Sequence, residues 1–84
     1  MKYKLQIERK AQKYLAKIPE PFQTRIIDHI YKLAENPYQN TKKLTGREAY
    51  RIRVGNYRVI YEIENDILVV KIIDIGHIKD IYEK

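Results

Sequence analysis

The stretch Tyr50-Arg51-Ile52-Arg53-Val54-Gly55-Asn56-Tyr57-Arg58-Val59-Ile60-Tyr61 decides how this chain folds. Tyr50, Ile52 and Val54 alternate with Arg51 and Arg53, the period-two signature of a strand with one buried face. Gly55-Asn56 is a two-residue turn signal, and Tyr57 to Ile63 resumes the strand pattern. A two-residue loop sets the pairing of the hairpin: Arg53 falls opposite Arg58, and Arg51 opposite Ile60. Alternation then gathers Arg51, Arg53 and Arg58 on one face and the tyrosine and aliphatic set on the other. A longer loop would keep that grouping only if it preserved parity.

Outward from the hairpin, Asn65-Asp66 marks a second turn and Ile67 to Ile75 a third strand, giving a three-stranded antiparallel meander. That last strand is apolar at nearly every position, the pattern of a central strand covered on both faces. Upstream, Tyr38 to Gly46 is polar and reads as a loop anchored by Leu44. Before it, Phe22, Ile26, Ile27, Ile30, Leu33 and Ala34 form the apolar stripe of a helix that opens near Pro21 and ends at Asn36-Pro37. Ala11, Tyr14, Leu15 and Ile18 mark one face of a shorter helix stopped by Pro19. Tyr3, Leu5 and Ile7 alternate as a first strand. The element order is β-α-α-β-β-β. Residues 1–84 are expected to form a single two-layer α+β domain, with the helical hairpin packed on the sheet face of Tyr50, Ile52, Val59, Tyr61 and Ile63.

Length and composition narrow the chemistry. Eighty-four residues make one modest core, burying about 60% of the unfolded surface, so any active site must be shallow. There is no cysteine, which removes disulfides, thiolate metal sites and cysteine nucleophiles and points to a reducing, cytoplasmic compartment. The two histidines are far apart in sequence, so a zinc site has almost nothing to use. No apolar run reaches the length of a membrane span, and the N-terminus lacks the apolar stretch of a signal peptide.

The net charge of +6 is unevenly distributed. Residues 1–41 carry eight basic and four acidic residues, residues 42–58 six basic and one acidic, and residues 59–84 three basic and six acidic. Four of the six arginines fall in the middle segment. Basic residues that merely solvate a surface are the plain alternative. Like charges directly opposite on a sheet destabilise it, however, and guanidinium forks match phosphate oxygens in bidentate geometry. The cluster therefore reads as a polyanion site. Gly76-His77-Ile78-Lys79-Asp80-Ile81-Tyr82 follows the last strand, and antiparallel geometry brings it beside Arg58. There His77 or Lys79 could exchange protons, or His77 could simply cap a turn; Tyr82 could stack on a base or pack at an edge. Tyr50, Tyr57 and Tyr61 read as core residues, and His29 as a structural one.

Leu15-x-Lys17-Ile18-Pro19, Asn36-Pro37, Lys43-Leu44-x-Gly46, the block from Tyr50 to Tyr61, and Gly76-His77-x-x-Asp80-Ile81-Tyr82 occur in an order that resembles the RelE/ParE superfamily of type II toxins over nearly the whole chain. The central block is similar to the RelE side. That resemblance implies a ribosome-dependent mRNA endonuclease, neutralised by an acidic, RelB-like antitoxin in a hetero-oligomer. Its chemistry is metal-free and needs no cofactor: the RNA 2′-hydroxyl attacks the adjacent phosphate. By position, Arg51 and Arg53 match two family basic residues, the second tied to proton removal or its electrostatic equivalent. Arg58 matches the arginine that stabilises the pentavalent transition state, and Tyr82 the base-stacking tyrosine. Lys42, Lys43 and Arg47 extend the basic surface for RNA. One departure stands out: Ile78 occupies the place of a second catalytic arginine, which leaves the acid role to His77 or Lys79. A ParE-like gyrase inhibitor, or a degenerate toxin that only binds its antitoxin, is the alternative. The chain stops two residues after Tyr82, so the C-terminal helix of some relatives is expected to be missing.

Overall fold

The computed structural model describes residues 2–39, 41–44 and 49–79. Seven elements follow in order: β1 (Lys4–Ile7), α1 (Arg9–Lys17), α2 (Phe22–Glu35), β2 (Lys42–Lys43), β3 (Tyr50–Val54), β4 (Tyr57–Glu64) and β5 (Val69–His77). The strands form one five-stranded sheet in the order β1-β5-β4-β3-β2. Both helices lie against the same face. The core joins Ala11, Ile18, Ile26, Ile30 and Leu33 of the helical layer to Ile52, Val54, Val59, Tyr61, Val70, Ile72 and Ile75 of the sheet. This is the expected two-layer α+β domain, with the expected sheet face under the helices.

The helices end where local chemistry stops them. Ile18, extended ahead of Pro19, caps α1, and Asn36, extended ahead of the buried Pro37, caps α2. Gln23 Nε2 donates to the Leu15 carbonyl at 3.0 Å and ties the two helices together. Burying side chains such as Ile26, Ile30 and Ile72 stabilises the fold by about 1.5–3 kcal/mol each.

Three features of the sheet differ from the sequence reading. The segment read wholly as a loop contains β2, whose two residues pair antiparallel with Arg51 and Tyr50. β1 joins the sheet in parallel beside β5, so the meander sits in a mixed sheet. The second turn runs from Asn65 to Leu68, with Leu68 at φ 55°, and β5 is correspondingly shifted to Val69–His77.

The apolar run of β5 also has a different cause from two-sided burial. A β-bulge lies between two registers of the β4–β5 pair: Ile60 faces Asp74, whereas Tyr61 faces Ile72, leaving Ile73 as the extra residue. The bulge switches parity. Val70 and Ile72 face the helices on one side of it, and Ile75 and His77 on the other. Adjacent apolar residues therefore mark a change of register.

Candidate functional site

The hairpin of β3 and β4 places its arginines as the sequence suggests. Arg53 pairs with Arg58 and Arg51 with Ile60. The Thr41 hydroxyl donates to the Arg51 carbonyl at 2.9 Å, so the Arg51 carbonyl points away from β4. By alternation Arg51 and Arg53 both sit in non-hydrogen-bonded pairs with β4, the closer class, with Cα atoms about 4.5 Å apart. Arg53 and Arg58 are thus as near as cross-strand neighbours become. Their face is the one the helices leave uncovered.

Arg51 and Arg58 are half-buried and Arg53 is exposed. Nε of Arg51 is buried with no hydrogen-bond partner among the described residues, and Nε of Arg58 is buried as well, as expected for stems laid along the sheet. Ile60, between them in the register, is only 8% exposed. Lys42 pairs with Arg51 and shares the arginine face, whereas Lys43, paired with Tyr50, belongs to the other face. Asp74, opposite Ile60 in the register, is 3.7 Å from Lys10 Nζ. Further along β4, Glu64 pairs with Lys71 at 3.6 Å. One end of the face is therefore cationic and the other end carries the acids.

The tail is separated by the pleat. Gly76 pairs with Arg58, and the Ile78 N–H donates to the Asn56 carbonyl at 2.8 Å, so the chain after β5 lies against the arginine hairpin. His77, one residue on from Gly76, falls on the helix side. Its ring packs edge-on against Tyr57 with centroids 5.4 Å apart. Its Nδ1 accepts the Lys79 N–H at 3.2 Å, and its own N–H donates to Tyr14 Oη at 3.1 Å. These are the contacts of a capping histidine. Lys79 is exposed where the backbone turns helical. Arg47 and Tyr82 lie outside the described residues.

Behind the arginines runs a hydrogen-bond chain that sequence reasoning missed. The fully buried Tyr61 hydroxyl lies 2.7 Å from the Pro37 carbonyl and 2.5 Å from Thr41 Oγ1, and Thr41 in turn holds the Arg51 carbonyl. Burial pushes the Tyr61 phenol up to about 12, with Thr41 opposing in part. Tyr50 stacks on Tyr61 at 5.9 Å, and Tyr38 meets Tyr50 edge-on at 5.8 Å. This aromatic group and Thr41 fix the loop after α2 to the back of β3. A lone threonine in a polar loop carries no pattern that would reveal it.

Among the described residues no group of three or more histidines or carboxylates converges as a metal site, and no helix is long and apolar enough to cross a membrane. The site offers fixed cations on an open surface, suited to holding a phosphodiester and stabilising charge that develops on it.

Residues 5–82 match the family model described as the ParE toxin of the type II toxin–antitoxin system parDE. Among solved structures, the chain is similar to the RelBE2 toxin–antitoxin complex from Mycobacterium tuberculosis, with 22% identity, 92% of this chain and 99% of that chain covered, and a TM-score of 0.84. It is also similar to the archaeal RelE–RelB complex from Pyrococcus horikoshii, with 27% identity, 93% and 97% coverage, and a TM-score of 0.80. The RelB–RelE complex from Methanococcus jannaschii gives 29% identity, 93% and 95% coverage, and a TM-score of 0.76. No curated protein matches significantly.

Proposed function

The chain belongs to the ParE toxin family, within the RelE/ParE superfamily of type II toxins, and from that premise we propose that it is a RelE-type endonuclease that cuts mRNA on the ribosome. The observation that carries this reading is the convergence of Arg51, Arg53 and Arg58 on the uncovered sheet face, in the closest pairing class a sheet allows. Guanidinium groups gathered this closely match the oxygens of a phosphodiester in bidentate geometry.

In the proposed reaction the 2′-oxygen forms a bond to the adjacent phosphorus while the bond from phosphorus to the 5′-oxygen breaks. A 2′,3′-cyclic phosphate and a 5′-hydroxyl end result. Arginine stays protonated and does not act as a base. Arg51 and Arg53 instead lower the cost of removing the 2′-hydroxyl proton electrostatically, and Arg58 stabilises the charge that builds on the phosphorane. Lys79, exposed just after β5, is assigned to protonate the leaving 5′-oxygen. His77, engaged with Tyr57 and the Lys79 backbone, holds the tail. Tyr82 is assigned to stack on a base, and Lys42 and Arg47 to contact flanking phosphates; Lys43, on the Tyr50 face, is not given that role. An acidic RelB-like antitoxin in the cytoplasm would cover this surface.

Ile78 favours a second reading, a toxin that docks its antitoxin without cutting, because it stands where the family commonly places a further arginine. Translating ribosomes kept intact in magnesium-containing buffer and incubated with the purified protein separate the two. Cleaved mRNA with 2′,3′-cyclic phosphate ends supports the endonuclease; intact mRNA supports the silent form.

A further inference from the structure

Resting on the endonuclease reading above, we infer that the cleft between α2 and β3 is a nucleotide subsite, taking the ribonucleotide next to the phosphate held by Arg53 and Arg58. β2 pairs only with Tyr50 and Arg51, so among the described residues β3 has no neighbour beyond Arg51 on that side. Because the Arg51 carbonyl points outward to Thr41, the Arg53 N–H and carbonyl two residues later point outward too. The C-terminal half of α2 overhangs this edge. Between them is an open cleft of about 350 Å³, within the range of small-ligand sites.

The chemistry of the cleft matches a nucleotide. Leu33 and Ile52 form an apolar floor. Lys32 is exposed at the cleft, and Arg53 lines it from the strand edge with its side chain alternating toward the arginine face; no carboxylate is among the lining residues, and neither has an acidic partner among the described residues. His29 Nδ1 lies 2.8 Å from the Arg25 carbonyl. A carbonyl only accepts, so Nδ1 carries the hydrogen and Nε2 of the neutral ring remains an acceptor. Asn36 Oδ1 accepts the Tyr38 N–H at 3.1 Å, which leaves the Asn36 amide nitrogen as a donor. Gln39 adds a second amide. A nucleotide presents a phosphate to the cations, a polar edge to a mixed donor and acceptor set, and a flat apolar face to the floor. A carboxylate side chain would use the cations and the amide donors, but would leave the His29 acceptor and the apolar floor unused. Arg53 belongs both to the cleft and to the arginine face, so a strand leaving Arg58 reaches the cleft in one cross-strand step.

The test is an amide chemical-shift titration of the ¹⁵N-labelled full chain with a 2′-O-methyl trinucleotide, which lacks the attacking hydroxyl and stays intact. Lys32, Asn36, Gln39 and Arg53 should shift together with Arg58, and Lys32→Ala combined with Asn36→Ala should weaken binding about tenfold, near one cation-assisted contact. Shifts confined to residues 51–58, unaffected by that double substitution, overturn the subsite and leave the endonuclease reading standing. Cleft shifts produced by hexaglutamate and not by the trinucleotide also overturn it, in favour of an acidic protein segment. Loss of cleavage by the unmodified protein on ribosomes overturns the endonuclease reading itself.

Discussion

Arg53 and Arg58 face each other across the hairpin at the closest separation available to strand neighbours, an arrangement that costs roughly 0.2–1 kcal/mol relative to uncharged pairs. Arg53→Thr removes the repulsion and adds a residue that suits a strand. It should raise stability by about 0.5 kcal/mol in urea melts while mRNA cleavage falls at least about tenfold, the loss expected when a charge-stabilising group is removed. Unchanged cleavage would return these arginines to the status of surface filler. Tyr61 has the opposite character, since its hydroxyl is buried and engaged by Pro37 and Thr41. Tyr61→Phe should cost about 1–3 kcal/mol at neutral pH by leaving those groups unpaired. Below pH 10 the phenol is protonated in both folded and unfolded states and adds no pH dependence. From there to about pH 12 the unfolded chain loses the proton and the folded chain keeps it. Stability attributable to Tyr61 therefore falls as pH rises through that window, by about 2–3 kcal/mol in all. Comparing urea midpoints of Tyr61→Phe and the unmodified protein from pH 9 to pH 12 measures this share, and parallel curves would contradict it.

The β3–β4 hairpin carries all three arginines, and its turn depends on Gly55 at φ 60°. A Cβ at that position would meet nothing within 4 Å, so Gly55→Ala is opposed by backbone conformation alone. It should cost about 1–2 kcal/mol in thermal or urea unfolding, and Gly55→Asn distinctly less, because asparagine tolerates the left-handed region. Equal losses for the two would point to a steric cause instead. This hairpin was legible because Gly55-Asn56 fixes both the turn and, through it, every cross-strand partner. The helices were legible for a similar local reason, with Ala11, Tyr14, Leu15 and Ile18 repeating at the helical period and Pro19 ending the run. What local pattern lacks is the identity of distant partners. Leu5 and Ile7 announce a strand, yet nothing in them specifies parallel pairing with Val70 and Ile72. The bulge at Ile73 also reverses the parity of β5, so the tail counted forward from Ile67 gives no reliable face for His77. The register places its ring beside Tyr57, across the sheet from Arg58.

Taken as a body, the molecule separates its tasks by face. The helical layer and the inner sheet face hold the core, and the outer face has a cationic end at Arg51, Arg53 and Arg58 and an acidic stretch toward Glu64. Of the charge excess of +6, the segment from 42 to 58 carries the densest part, with six basic residues and one acidic. In the proposed reaction a shallow surface of this kind would act by placing fixed cations around a phosphate, which needs no deep pocket and suits a core of this size. Family membership and the open arginine face are the two supports of the proposed RNA cleavage. Primer extension on mRNA from cells induced to express the chain without an antitoxin, run beside cells expressing Arg58→Ala, tests this most directly. The unmodified chain should give new in-frame cleavage ends and arrest growth, and Arg58→Ala should give neither. Growth arrest with intact mRNA, or identical cleavage by Arg58→Ala, would contradict it.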